Sequence, residues 1–128
     1  MKDEQKVAET QSVWEEHIAA WDANDLDAIM KDYTEESVMI LNNSMLKGTE
    51  AIRNVFAKLF ELFNNGHNEI ARAVITGEVI YITWNFTPQA ENGNSYFGTD
   101  SFFVQDGIIK YQTIASELYK KYPVTGQD

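Results

Sequence analysis

The stretch FGTDSFFVQDGIIKYQTI, residues 97–114, decides the fold. It holds two runs in which aromatic and β-branched residues alternate with polar ones, which is the pattern of half-buried strands. Asp106 and Gly107 separate the runs, and an Asp-Gly pair is typical of a tight hairpin turn. Strands joined by so short a connection lie antiparallel. The stretch therefore predicts a β-hairpin that carries Asp100 near the middle of its first strand.

The same kind of signal extends the hairpin into a sheet. Thr76-Gly77 and Asn92-Gly93-Asn94 are further turn sequences. Together with the Asp-Gly pair they divide the second half of the chain into four strands, predicted at 68–76, 78–88, 95–105 and 108–118. An earlier short strand is predicted at 37–43. Short connections make the four later strands an antiparallel meander.

The first half of the chain has helical periodicity instead. One helix is predicted at 4–23, with Val7, Trp14, Ile18 and Trp21 on its buried stripe and His17 beside the stripe. A short helix follows at 24–33, capped by Asn24 or Asp25, and a third begins at the N-cap Thr49 and ends at Asn65-Gly66. A last helical turn is predicted at 116–122. Helices first and strands afterwards predict an α+β fold.

The composition limits the classes of function. The 128 residues carry a formal net charge of −10, which argues against nucleic acid and membrane surfaces as partners, because such contacts need Lys and Arg. The chain has no cysteine, so thiolate chemistry is excluded, and its two histidines lack metal-ligand spacing. We expect no cofactor and no metal. The first ten residues, MKDEQKVAET, lack the apolar core of a signal peptide, which predicts a cytoplasmic protein.

Four stretches carry a resemblance to a known family, namely ANDLDAIMKDYTEESVMIL, KGTEAIRNVF, YITWNF and FGTDSFFVQDGIIKYQTI. With them the chain resembles a nuclear-transport-factor-2-like domain, the cone-shaped fold shared with SnoaL-like polyketide cyclases and ketosteroid isomerases. The resemblance runs from Trp14 to Glu117. It implies one domain over residues 1–128, with three N-terminal helices packed on the concave face of a curved antiparallel sheet. It implies no single activity, because this fold hosts several kinds of enzyme and non-catalytic binding domains.

The isomerase pattern can be carried over position by position. Its tyrosine on the first helix, which donates to the substrate oxyanion, falls on His17, and its aspartate base on the first strand falls on Leu41. Its protonated aspartate, the second oxyanion donor, falls on Asp100. The acid that the SnoaL-like cyclases carry on the last strand falls near Ile114. Leu41 and Ile114 cannot move a proton, so neither family mechanism transfers intact.

The resemblance also implies which face of its strand carries Asp100. Alternation leaves the question open, because both faces hold aromatic residues, whereas in these folds the aspartate lines the concave side. Asp100 would then be the acid of an apolar pocket and His17 its partner, so that the acid stays ionised and the imidazole becomes more basic. The predicted catalytic residues are thus His17 and Asp100. The predicted substrate-binding residues are Trp21, Tyr33, Leu41, Phe56, Trp84, Phe102 and Gln112, while Trp14 is either a pocket wall or a core residue.

The opposite face of the sheet has a different composition. It is half apolar and consists of Tyr81, Thr83, Phe97, Thr99, Phe103, Tyr111 and Thr113. A sheet face of this kind often packs on a copy of itself, which predicts a two-fold homodimer.

Three functions remain open at this point. The first is a cofactor-independent isomerase, cyclase or dehydratase that acts on an apolar carbonyl or ring compound, with Gln112 holding the substrate oxygen. The second is a non-catalytic module that binds a small ligand with the same groups. The third is a structural dimer whose cavity is filled by Trp21 and Trp84. His17 is equally explained as a helix residue whose hydrogen bond stabilises the contact between helix and sheet.

Overall fold

A computed structural model describes residues 2–125 as an α+β arrangement of helices and one sheet. The elements are α1 (Lys2–Asp22), α2 (Leu26–Met30), β1 (Val38–Leu41), β2 (Ser44–Lys47), α3 (Thr49–Phe63), β3 (Gly66–Thr76), β4 (Val79–Pro88), β5 (Tyr96–Gln105), β6 (Ile108–Ser116) and α4 (Leu118–Lys121). The predicted α+β class is confirmed. Three N-terminal helices precede the meander, also as predicted.

The strands form one curved sheet in the order β2-β1-β6-β5-β4-β3. Strands β3 to β6 make the predicted antiparallel meander. However, β1 pairs with β6 in parallel, with Ile40 opposite Thr113. The sheet is therefore mixed: the predicted antiparallel meander is confirmed, but the parallel pairing of β1 was not predicted. The reason is that β1 reaches β6 across five intervening elements, whereas turn residues report only on strands joined by a hairpin.

The predicted strand at 37–43 is one arm of a hairpin whose second arm, β2, was missed. Asn42 makes the turn in the left-handed region, at φ 52°. Its side-chain amide donates to the Ser116 carbonyl at 3.0 Å, and its side-chain oxygen accepts from the Ser116 backbone N–H at 3.0 Å. An asparagine tolerates this backbone conformation, and its side-chain amide carries both a donor and an acceptor, which is why it suits the site. Asn42 thus fastens the hairpin to the end of β6.

The buried face of α1 differs from the predicted stripe. Its buried side chains are Thr10, Val13, His17 and Ala20, while Trp14 and Trp21 are half-buried at the edges of this face. His17 therefore lies on the buried face and not beside it. Periodicity led the prediction towards the large apolar residues, but the sheet below leaves room for small residues and one imidazole directly over its centre.

The caps of the two following helices agree with the sequence in one case only. Asp25 caps α2, accepting from the Ala28 backbone N–H at 3.0 Å. Thr49 was predicted to cap α3, but the N-cap is Gly48, at φ 92°, and Thr49 is the first helical residue. The Thr49 hydroxyl and backbone N–H both donate to the Glu35 carboxylate instead. An acid from the preceding loop thus satisfies the first turn of α3.

The inner face of the meander is the predicted one. Ile82, Trp84 and Phe86 of β4 are buried, as are Gln112 and Ile114 of β6. On the outer face, Tyr81, Phe97 and Tyr111 are exposed by 42%, 59% and 53%. The helices therefore cover one face of the sheet and leave the other open.

A carboxylate ties the C-terminal helix to the β4–β5 connection. Glu91 accepts hydrogen bonds from Asn94 Nδ2 at 2.8 Å, from the Tyr96 hydroxyl at 2.9 Å and from the Tyr122 hydroxyl at 2.6 Å. Lys121 Nζ lies 3.3 Å from the same carboxylate. These bonds, chiefly that from Tyr122, lower the pKa of Glu91 to about 2. The cluster formed by Glu91 and these four donors is called the Glu91 clasp below.

Within residues 2–125, no helix is long and apolar enough to cross a membrane.

The Glu91 clasp predicts a pH-dependent contribution to stability. Because the folded-state pKa of Glu91 is depressed, its contribution is complete above the ordinary value of 4.5 and is lost as the pH falls towards 2. Glu91→Gln should therefore be less stable than wild type at pH 7, and this difference in the free energy of unfolding should shrink as the pH falls through that window. Urea unfolding at a series of pH values measures it. Glu61→Gln, on the exposed side of α3, is the matched control, and an equal difference at all pH values would refute the assignment.

Candidate functional site

A cavity of about 50 Å³ lies between the helices and the inner face of the sheet. Its apolar wall consists of Ile18, Trp21, Phe56, Leu59, Phe63, Ile70, Ile82, Phe102 and Ile114. Its polar lining consists of His17, Asn68, Trp84, Asp100, Gln112 and Tyr119. Such a volume holds a few water molecules. It is far below the roughly 300 Å³ at which typical small-molecule sites begin.

Asp100 is the acid of this cavity, on the face that was predicted. Trp84 Nε1 donates to Asp100 Oδ1 at 2.9 Å, and Gln112 Nε2 donates to Oδ2 at 3.2 Å. The Tyr33 hydroxyl donates to Gln112 Oε1, which fixes the orientation of that amide. The three residues around the acid thus form a chain of hydrogen bonds from Tyr33 to Trp84.

Gly98 makes room for this chain. It lies directly opposite Trp84 in the β4–β5 pairing, and a Cβ atom at this position would lie 2.1 Å from the Trp84 ring. The indole therefore crosses β5 at the one place where no side chain blocks it. Its N–H reaches the carboxylate two residues farther along the strand.

Burial raises the pKa of Asp100 to about 6, and the hydrogen bonds from Trp84 and Gln112 oppose that rise. The carboxylate is thus mostly ionised at pH 7, yet its protonated form is close in energy. An acid in this condition can accept a proton at neutral pH and return it.

His17 is held by aromatic rings. Its imidazole lies edge-on to Phe102 and Phe56, with ring centroids 5.0 and 6.0 Å apart, and stacks on Trp14 at 6.1 Å. The residue is 5% exposed, and burial lowers the pKa of His17 to about 4. The imidazole is consequently neutral at pH 7.

The predicted electrostatic state of His17 and Asp100 was therefore wrong. A His–Asp ion pair would raise the pKa of the imidazole, whereas this pKa is lowered and that of the acid is raised. Among the described residues, no hydrogen bond or ion pair joins the two side chains. The Trp84 indole and the Gln112 amide bind the carboxylate oxygens instead, while the His17 ring packs against aromatic side chains.

The other predicted site residues divide into three groups. Trp21, Phe56, Trp84, Phe102 and Gln112 line the cavity together with His17 and Asp100. Tyr33 is buried and reaches the site only through its bond to Gln112. Leu41 is fully buried on β1, opposite Ile114 in the β1–β6 pairing, and belongs to the core. Trp14 packs against His17 and Phe102 and does not line the cavity.

Two polar lining residues escaped the sequence analysis. Tyr119 is 2% exposed on α4, where burial and the nearby Asp100 raise its pKa well above the usual range. It had been assigned only to a helical turn of the C-terminal tail. Asn68 follows the turn-like sequence Asn-Gly-His and had no role. Regular counting from the Thr76-Gly77 turn would pair Glu69 with Phe86, so the sequence held no signal that Asn68 lies opposite this buried residue.

Two buried polar atoms of this site have no partner. In the part of the chain that the structure describes, His17 Nδ1 and Asn68 Oδ1 are the buried side-chain nitrogen and oxygen atoms that lack a hydrogen bond. Both residues line the same cavity. An unpaired buried polar atom destabilises a fold by about 1–3 kcal/mol, so two of them at one cavity need an explanation.

Comparisons with known proteins identify the kind of fold. The family model described as a SnoaL-like domain matches residues 14–112. No curated protein is significantly similar in sequence. Several hundred solved chains are similar in structure, and three of them, each under 25% identical to this chain, are described next.

A nuclear-transport-factor-2-like protein of unknown function from Mesorhizobium loti superposes with a TM-score of 0.77 at 17% identity, covering 88% of this chain and 93% of that one. A candidate ketosteroid isomerase from Kribbella flavida gives 0.68 at 12% identity, covering 85% and 78%. A candidate polyketide cyclase from Sinorhizobium meliloti gives 0.68 at 18% identity, covering 80% and 93%. At these identities the similarity establishes the fold.

The environment of His17 predicts an imidazole that stays neutral well into the acidic range. Because its folded-state pKa of about 4 lies below the ordinary 6.5, one imidazole Cε1–H signal should keep its neutral position from pH 7.5 down to about 5 in an NMR titration. His67, which is exposed on β3, gives the second signal, and His17→Gln identifies which is which. A titration midpoint above 6.5 for His17 would instead indicate that His17 forms an ion pair with Asp100.

Proposed function

Because the chain belongs to the SnoaL-like domain family, we propose that this protein binds a small, largely apolar carbonyl or ring compound in its cavity and catalyses a proton transfer on it. The observation that carries the proposal is the pair of unpartnered buried atoms, His17 Nδ1 and Asn68 Oδ1, at one aromatic-lined cavity. A ligand with polar groups would satisfy them. The cyclase and isomerase names of two structural neighbours agree with this class of compound.

The proposed chemistry uses two groups in different roles. Asp100 is ionised at neutral pH and has a pKa of about 6, so its carboxylate takes the proton from the carbon next to a substrate carbonyl. The C–H electron pair forms a carbon–carbon double bond and the π electrons of the carbonyl move to its oxygen, where a neutral His17 in the Nδ1–H tautomer donates a hydrogen bond to the developing negative charge. Asp100 then returns the proton to the same or another carbon. Gln112 and Trp84 hold the carboxylate in position throughout.

The small volume of the cavity favours a second candidate. A cavity of about 50 Å³ is too small for a ring compound. This size is expected of a non-catalytic domain whose interior is filled by its own aromatic residues. The two candidates differ in one measurable respect. A catalytic or binding site must open and take up a ligand, whereas a filled interior binds none of the added compounds.

A thermal-shift screen of small ketones, phenols and polycyclic ring compounds tests the proposal. A ligand present at one hundred times its Kd should stabilise the protein by about 2.7 kcal/mol, which raises Tm by several degrees. The shift should fall sharply in His17→Phe and Asp100→Asn. Ser101→Ala is the control, because it alters β5 between Asp100 and Phe102 on the opposite face. A screen without any stabilising compound would favour the filled interior.

Exchange of deuterium at the carbon next to the ligand carbonyl separates catalysis from binding. Wild type should accelerate the exchange, as followed by NMR, and Asp100→Asn should abolish the acceleration because its amide cannot accept the proton. Binding without exchange in the wild type would identify a non-catalytic binding protein.

We further propose that the outer face of the sheet joins two copies of the chain. Tyr81, Phe97 and Tyr111 are each exposed by 42% or more, and the four central outward-facing neighbours Thr83, Thr99, Phe103 and Thr113 are uncharged. Each copy carries a net charge of −10, so a contact between copies is least unfavourable where its centre carries no acids. The centre of this face is uncharged and half apolar, which suits a two-fold contact.

Sedimentation velocity tests this contact. Wild type should sediment as a dimer, and Phe97→Asp should shift it to a monomer, because two buried like charges would face each other across the two-fold axis. Ala57→Asp introduces the same charge on the exposed side of α3 and should remain dimeric. A monomeric wild type would exclude the homodimer.

A further inference from the structure

A surface cleft of about 170 Å³ lies directly outside the cavity. Its outer rim consists of Asp22, Asn24, Phe60 and Asn64. Trp21, Phe63 and Asn68 line both the cleft and the cavity. These three side chains therefore form the partition between the cavity and the surface.

Ring contacts hold the two aromatic members of the partition. Trp21 and Phe63 meet edge-on with centroids 5.2 Å apart, and Trp21 also contacts Phe60 at 5.1 Å. Both side chains are half-buried. Trp21 is the next-to-last residue of α1 and Phe63 is the last residue of α3. Residues at helix ends open at a lower free energy than the core does, so these rings are placed where a local movement is least costly.

The third member, Asn68, is polar and incompletely bonded. It lies on β3 opposite Phe86, and its Oδ1 atom is buried without a hydrogen-bond partner. An amide oxygen accepts hydrogen bonds from O–H or N–H groups. Asn68 is level with Phe86 in the sheet, whereas Asp100 is level with Ile82, four residues away along β4. This acceptor therefore lies towards the end of the cavity away from the acid, where it can receive a donor group.

We propose that Trp21 and Phe63 are the gate of the cavity, and that Asn68 selects ligands carrying a hydroxyl or amine at the end opposite their carbonyl. This inference rests on the proposed function, since a gate and a selector act on a ligand that the cavity takes up. When the gate rings rotate, cavity and cleft become one elongated space that reaches from Asp100 to the surface. The cavity alone, at about 50 Å³, is too small for a bicyclic compound, whereas the joined space adds the roughly 170 Å³ of the cleft to it.

The selection follows from the cost of an unpaired acceptor. A ligand with a donor at its outer end satisfies Asn68, whereas one with an ether at the same place leaves two acceptors facing each other. The difference should be about tenfold in Kd, which is the scale of one net hydrogen bond. An amine should be accepted as well as a hydroxyl, because Asp22 lies on the same outer cleft.

Isothermal titration with two matched probes tests the selection. The probes are 6-hydroxy-1-tetralone and 6-methoxy-1-tetralone, which share the carbonyl and the ring system; the methoxy compound lacks the donor at the far end and carries one methyl group more. Wild type should bind the hydroxy compound about tenfold more tightly. Asn68→Ala should bind the two equally, while Asn85→Ala, which removes an exposed amide from β4, should keep the wild-type preference. Asn68→Leu is the second variant if the first does not fold.

Each outcome decides a different statement. Equal binding of both probes by wild type would overturn the role of Asn68 and leave the proposed function intact. Binding of neither probe would overturn the proposed function for ring ketones and this inference with it. A preference for the methoxy compound would show that a donor, and not an acceptor, lines the outer end.

The gate is tested by association rates in stopped-flow experiments. Trp21→Ala should accelerate the association of both tetralones by about the same factor, because the gate opens before the ligand reaches Asn68. The Kd ratio of the two probes should persist in this variant. An unchanged association rate would exclude Trp21 as the gate, whatever the result for Asn68.

Discussion

A single half-buried carboxylate, Asp100, which lies among aromatic rings and is held by two side-chain donors, determines the architecture of this site. An ionised acid is stable in such surroundings only if its oxygens are hydrogen-bonded. Trp84 and Gln112 supply the two bonds to Asp100, and Tyr33 orients Gln112 in turn. The requirement extends into the backbone, because the Trp84 indole reaches the acid only across a position without a side chain, which is Gly98.

The same constraint explains why the two titratable groups of the cavity, His17 and Asp100, do not form an ion pair. Removal from water moves the pKa of an acid up and that of an imidazole down. Asp100 accepts its hydrogen bonds from Trp84 and Gln112, whereas the His17 ring packs against Phe102, Phe56 and Trp14. The result at neutral pH is one negative group and one neutral group, a combination suited to moving a proton and binding the oxygen that gains charge.

Much of the fold could be predicted from the sequence because its signals are local. The Asp106-Gly107 turn and the alternating pattern around Asp100 predicted the hairpin, whereas its inward face was implied only by the family resemblance. The parallel β1–β6 pairing could not be predicted, since no turn joins these strands. Asn68 shows a subtler limit. A register shift between Ile70 and Arg72 reverses which residues of β3 face inward. Strict counting from the Thr76-Gly77 turn would therefore place His67 inside and Asn68 outside. Likewise, the sequence did not indicate that Trp84 donates to Asp100, because this contact depends on the space that Gly98 leaves for the indole ring.

The parallel pairing of β1 with β6 also orders events while the chain is being synthesised. Val38 pairs beside Tyr111, about 70 residues later in the sequence. At about 5–20 residues per second, a ribosome needs several seconds to produce that partner. Until then β1 lacks its main neighbour, and Met39 and Leu41, which the finished fold buries completely, stay uncovered on the nascent chain. Closure of the sheet therefore has to wait for β6, the last strand to emerge.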